Sequence, residues 1–384
     1  MRARLRLRRM ALPYARAAVR GSIVAFAAAG LSVAAFAAAR LSVAAFAAAR
    51  LSVAAFAAVG LTVATGAIAD EGVPRFVLER VGIDAASEDR VLALVPERIS
   101  AGDVRDVLAH TYAPRIINLQ GSVPIVTMAP FAEFLIAMGY PSEQIRNPYD
   151  SSLSYSSSVD ARSLAGILAW YDEHEGMMPM LIGHSQGGMV AIKVLHELAG
   201  DFASSIPVWN PRLGAAEDRT AIVDPVTRKE RPVVGLKVPY ATALATGKLP
   251  RLLLGQWTML TRLREIPDTV DEFTGFSLEW DPIAGNFGAS EPYRATGTAK
   301  VRNLTLPSDA SHLTLPQVAE LARDPATRDW IDRYVPGTAV PLPTVHTDTA
   351  NLLHAADIWY SIKKHWCLEA QRLIRARRRL AGGG

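Results

Sequence analysis

MPMLIGHSQGGMV, residues 178–190, is an apolar run that breaks abruptly into glycines. Its first half reads as a buried strand, and GGMVAIKVLHELAG from Gly187 onward reads as a helix. Between them Gly183-His184-Ser185-Gln186-Gly187 fits the pattern G-x-S-x-G. A nucleophilic serine has to project from a sharp, strained strand-to-helix turn, and the small residues at 183, 187 and 188 let the backbone make one. A glycine-rich turn without chemistry is the alternative. Working outward, the same alternation continues. RIINLQG, ending at Gly121, reads as a strand, and PFAEFLIAMGYP as a helix stopped by Gly139 and Pro141. SVDARSLAGILAWYDEHEG places Leu164, Ile167, Leu168 and Tyr171 at helical spacing. IPVWNP, TGFSLEW and KVRNLTLP read as further strands, and residues 72–111 as a lead-in of a strand or two and a helix. Alternating strand and helix predict an α/β fold: a mostly parallel sheet with helices on both faces.

With that context, the chain over roughly 112–335 resembles the α/β-hydrolase superfamily, whose lipases and esterases commonly carry a GHSQGG elbow. Serine is a weak nucleophile at neutral pH and needs a base that a carboxylate orients. The resemblance implies the chain order serine, acid, histidine. His312 follows the predicted strand VRNLTLP and the turn SDAS, where the fold would deliver it to Ser185. His354, on the helical stretch NLLHAADIWYSI, is the second choice, and His196 reads as a surface residue of the helix leaving the elbow. Asp281 stands just past the strand TGFSLEW, and Pro282 breaks the ladder there. Glu279, inside the strand, is a weaker rival. Asp309 reads as a turn former. After IPVWNP, where some relatives carry the acid, this chain has Asn210-Pro211. His184 reads as a packed elbow residue.

The resemblance further implies an oxyanion hole made of the N–H of Gln186 and one on the loop after an earlier strand. Relatives often have His-Gly there; this chain has Gln120-Gly121-Ser122, which leaves the N–H of Ser122 as the second donor. The implied reaction is cleavage of a carboxylic ester, of a small molecule or a lipid, through an acyl-enzyme. Thioester or amide cleavage, acyl transfer and a non-catalytic binding role remain alternatives on one scaffold. No P-loop, dinucleotide fingerprint or HExxH occurs, so no cofactor and no metal is expected. The charge run Asp172, Glu173, His174, Glu175 reads as a solvated helix end.

The chain has 384 residues and a net charge of +4, unevenly spread. Residues 1–69 hold nine Arg and no acid, and 361–384 hold seven basic residues and one acid. The body, 70–360, has 25 basic and 36 acidic residues, so a nucleic-acid partner is not expected. Cys367 is alone and no intrachain disulfide can form. Residues 21–70 divide into five decamers, four of which carry Phe, at 26, 36, 46 and 56. Ten helical residues turn through about 1000°, so those rings would not share a face. The segment 1–69 reads as a signal peptide, with Ala67-Ile68-Ala69 as the cleavage site, or as an uncleaved anchor. Either reading predicts export to the periplasm or beyond. The domain of 70–340 contains the stretch 212–274, which reads either as a cap over the site or as sheet-covering helices. The basic tail, 341–384, mixes Trp359 and Trp366 with Lys and Arg. It reads as a helix on an anionic membrane surface or as one docked on the body.

Overall fold

Neighbouring residues of a strand point to opposite faces of its sheet, so an unbroken apolar strand needs cover on both sides. Five strands build the centre of this protein, and three of them, Ile116–Leu119, Met180–His184 and Val238–Leu244, are buried along their whole length. The computed structural model describes residues 83–247, 256–288, 290–307, 309–338, 341–343 and 348–382. Two short helices lead in: α1 (Ala85–Ala93), capped by the Asp84 side chain, and α2 (Ala101–Asp106), held by a reciprocal capping box between Ser100 and Asp103. There follow β1 (Ile116–Leu119), α3 (Ala129–Ala137), α4 (Ala161–Glu175), β2 (Met180–His184) and α5 (Gln186–Leu198). Then come β3 (Val238–Leu244), β4 (Val270–Leu278), β5 (Lys300–Leu306), α6 (Pro325–Arg333) and α7 (Thr349–Gly382).

The sheet order is β1-β2-β3-β4-β5, and all four pairings are parallel. On one face Ile116, Met180, Ile182, Tyr240 and Phe276 pack against Phe131 and Phe134 of α3 and Trp359 and Trp366 of α7. On the other Ile117, Leu181, Ala241 and Phe273 pack against Leu164 and Leu168 of α4 and Val190 and Val194 of α5. The mostly parallel α/β architecture expected from the sequence is the one observed.

Details depart from the sequence reading. The lead-in over 83–111 is helical, with no strand among its described residues. IPVWNP contributes only Trp209–Asn210, in a small hairpin with Ala215–Ala216 outside the main sheet. The stretch 212–274 is not one insertion: Val238–Leu244 is the middle strand of the sheet, and Val233 and Leu236 lie in the core beside it. The run Leu252-Leu253-Leu254 and the whole N-terminal segment 1–69 lie outside the described residues. The C-terminal helix α7 is docked on the body, one of the two readings of the tail, and belongs to the same compact unit as the sheet. Trp359, Trp366, Ile358 and Ile362 of α7 are fully buried in the first core, so its apolar face is already occupied. Among the described residues no helix is long and apolar enough to cross a membrane.

Candidate active site

Parallel strands bring all their C-terminal ends to one edge, and that edge is where such sheets bind ligands. The loops after β1, β2, β4 and β5 carry Ser122, Ser185, Asp281 and His312, and Gln186 opens α5. Ser185 follows β2 directly, at φ 55° and ψ −118°. This is a left-handed backbone that a serine adopts only when its surroundings enforce it. The Ser185 N–H donates to the carbonyl of Leu244 (2.8 Å), and its own carbonyl accepts from Thr246 Oγ1 (2.8 Å), so the end of β3 clamps the turn. Close approach explains two of the glycines. A Cβ on Gly183 would lie 2.4 Å from the carbonyl oxygen of Gly187, and one on Gly187 would lie 2.1 Å from that of Leu119.

His312 reaches Ser185 from the loop after β5. Its Nε2 is 2.8 Å from Ser185 Oγ, and its Nδ1 is 2.7 Å from Asp281 Oδ2. An ionised carboxylate can only accept, so Nδ1 carries the proton and Nε2 offers its lone pair to the serine hydroxyl. Ser185, His312 and Asp281 are 4%, 5% and 2% exposed, which strengthens each contact relative to water. Asp281 is held in turn: its Oδ1 accepts from the N–H of Ala284 (3.0 Å), and Trp280–Asp281 pairs with Asn286–Phe287 in a two-residue ladder. Beside it lies a recess of about 50 Å³ lined in part by Thr246, Arg264 and Asn286.

The loop Gln120-Gly121-Ser122 passes against the nucleophile, since a Cβ on Gly121 would lie 3.1 Å from Ser185 Cβ. Ser157 ties this loop to the elbow: its Oγ donates to the Gly121 carbonyl (3.1 Å) and lies 3.2 Å from Gln186 Oε1. Gln186 is the first residue of α5, where the backbone N–H has no intrahelical acceptor and the helix dipole favours negative charge. Nothing in the sequence pointed to Ser157 or to Thr246, because both act through contacts between distant segments.

The rival residues fall elsewhere. Glu279 is exposed, and Asp309 accepts from the N–H groups of Thr349 and Ala350 at the start of α7. His354 is buried between the rings of Phe131 and Phe276 and bonds to Asn351, while His312 occupies the position of the base. His196 is not a surface residue. It is 1% exposed, with Nδ1 2.5 Å from Asp201 Oδ2 and Nε2 on the carbonyls of Arg262 and Glu265. The run at 172–175 is not simply solvated either. Glu173 pairs with Arg219 (2.5 Å) and Glu175 with Arg115 (2.8 Å), and burial pushes the Asp172 carboxyl up to about 6. Among the described residues no group of three or more His, Cys, Asp or Glu could hold a metal ion.

A parallel sheet covered on both faces, a serine on a strained elbow, and an acid and a histidine on loops after later strands define an α/β-hydrolase-type catalytic architecture. Its chemistry is that of a serine hydrolase acting through an acyl-enzyme. A scan of protein-family models, a search of curated proteins and a search of solved structures each find no match to this chain.

Proposed function

We propose that this protein hydrolyses carboxylic esters. The observation that carries the reading is the continuous Ser185 Oγ–His312 Nε2 and His312 Nδ1–Asp281 Oδ2 contact, at 2.8 and 2.7 Å, in a buried site. Ser185 Oγ attacks the ester carbonyl carbon while His312 Nε2 takes its proton. The developing oxyanion accepts from the N–H groups of Gln186 and Ser122, a contribution of about 3–4 kcal/mol for each donor. Collapse expels the alkoxide, which receives the proton from His312. Water, deprotonated by the same nitrogen, then attacks the acyl carbon and releases the acid, while His312 returns that proton to Ser185 Oγ.

Two finer readings belong to this proposal. Lipid esters are favoured over short soluble ones by the exposed ring pair Trp280 and Phe287, in edge contact at 5.5 Å on the hairpin that holds Asp281. Such a pair beside the site offers apolar surface to an acyl chain or a lipid aggregate. Export is favoured by the basic start, the long apolar stretch and Ala67-Ile68-Ala69 before Asp70. N-terminal sequencing of the mature protein in fractionated cells tests that point, with Asp70 as the expected first residue.

For the reaction itself, a fluorophosphonate probe is expected to label Ser185 in the wild-type protein and not in S185A. Turnover of p-nitrophenyl esters from acetate to palmitate, run beside thioester and amide substrates, then ranks the acyl groups. Unlabelled wild-type protein, or turnover of amides alone, would overturn the ester reading.

A further inference from the structure

His184 precedes the nucleophile and touches the other two walls of the site. Its ring is 1% exposed. Nε2 lies 2.8 Å from the main-chain oxygen of His312. A carbonyl only accepts, so Nε2 carries the proton, and Nδ1 is the bare nitrogen of the ring. Nδ1 has no hydrogen-bond partner and faces Gly121, where an added Cβ would lie 3.2 Å from it. The two histidine rings are 5.0 Å apart at 53°. His184 therefore stands between the loop of the base and the loop of the oxyanion donors, fixed at the end of β2.

The loop bearing His312 needs such a support. Ser311 and Leu313 on either side are exposed, and the local ties are a tight turn between Ser311 and Thr314. The ring of His312 cannot anchor its own backbone through Nε2, because that contact breaks and reforms as the proton moves to the leaving group. A donor on the main-chain oxygen is untouched by those steps. It must also be neutral, since a second cation 5.0 Å away would oppose the imidazolium that forms on His312. Burial, with His312 as the next contribution, pushes His184 down to about 3, so the ring is uncharged near neutral pH.

Resting on the serine-hydrolase reading, we propose that His184 is a positioning residue for the base. Its Nε2–H bond to the His312 carbonyl sets the imidazole at hydrogen-bonding distance from Ser185 Oγ. Displacing a reacting group by about 1 Å lowers rates by about 100-fold, so one main-chain bond can matter this much.

Three substitutions separate positioning from space-filling. A glutamine amide nitrogen reaches about as far as histidine Nε2, an asparagine amide stops near Nδ1, and methionine fills the volume with no donor. H184Q is expected to keep kcat on p-nitrophenyl butyrate within about threefold of wild type. H184N and H184M are expected to lose about 10- to 100-fold in kcat, with KM within about twofold, and to label with fluorophosphonate correspondingly slowly. Rates are normalised to the folded fraction read from thermal melts. Wild-type labelling kinetics in H184M overturn the inference and leave the hydrolase reading intact, as does an equal loss in all three variants. Wild-type protein that fails to label at Ser185 overturns both.

Discussion

The two ends of the sheet use the same residue types to opposite ends. At the C-terminal edge, Ser185, His312 and Asp281 come from three loops and touch in single file. Toward the N-terminal edge, Glu272 of β4 and Arg302 of β5 meet Asp357, Ser361, Lys364 and His365 of α7. There every carboxylate oxygen has a donor: Glu272 Oε1 accepts from Arg302 and Ser361, and Oε2 from Lys364 (2.6 Å) and His365 (3.2 Å). Asp357 takes Arg302 at 2.5 Å and the Tyr334 hydroxyl at 3.4 Å. Burial works to push the Glu272 carboxyl up, but the bond from His365, the charge of Arg302 and the bond from Lys364 outweigh it and hold the group well below the ordinary range. A network on rigid elements, with its protons locked, fastens α7 to the sheet. A file of loop residues, with a proton free to move along it, does chemistry.

The largest effect expected from breaking this comparison is at the catalytic end. S185A, H312A and D281N should each lower ester turnover by about 10⁴-fold or more while the melting temperature holds. Because the three act as one unit, the double variant S185A/H312A should be little worse than S185A. Losses that multiply instead would show that His312 acts on something other than Ser185.

At the far end the outcome should invert. R302M leaves Glu272 and Asp357 buried without their shared cation, which should destabilise the protein by about 3–5 kcal/mol in urea unfolding. The folded fraction should still label at Ser185 at the wild-type rate. Reduced labelling of folded R302M would mean that the two ends are coupled through the strands.

The smallest effect sharpens the contrast between locked and mobile protons. Burial pushes both His184 and His354 from 6.5 down to about 3. As pH falls below 6.5 the unfolded chain takes up protons that these two folded rings refuse, so stability is present above 6.5 and drains away toward 3. Asp172 has the opposite sign. Its carboxyl, raised from 3.8 to about 6 by burial, binds a proton in the folded state first and offsets part of that loss. Stability measured by urea at pH 6.5, 5.5 and 4.5 should therefore fall with pH. In H354L the slope should be shallower by up to about 1.4 kcal/mol per pH unit. An unchanged slope would place the proton uptake elsewhere.

What could be read from the sequence follows the same division. The elbow is local: Gly183 to Gly188 state a turn, and apolar runs on both sides state the strand and helix that aim it. His312 and Asp281 were legible because each sits just past a strand, at the edge where a parallel sheet gathers its loops. The clamp was not legible as a cluster. Its signals were isolated charges inside strands, Glu272 in VDEFTGFSL and Arg302 in KVRNLTL, whose partners come from a helix more than fifty residues later. β3 escaped for a different reason. VPYATAL carries Pro239 near its start and small residues beyond it, weak strand formers by themselves. Its parallel neighbours on both sides, β2 and β4, hold it in the sheet.

The placement of α7 has a consequence for how the molecule is born. A chain made from its N-terminus presents all five strands before residues 349–382 leave the ribosome. Until then Tyr240, Phe276 and the inward side of α3 lack the cover that Trp359 and Trp366 provide. Domains close as units, so α7, which follows all five strands in the chain, is also the lid of the core. The nascent protein carries a greasy flank until that helix emerges, a natural grip for a chaperone, and it can seal only after α7 has been made.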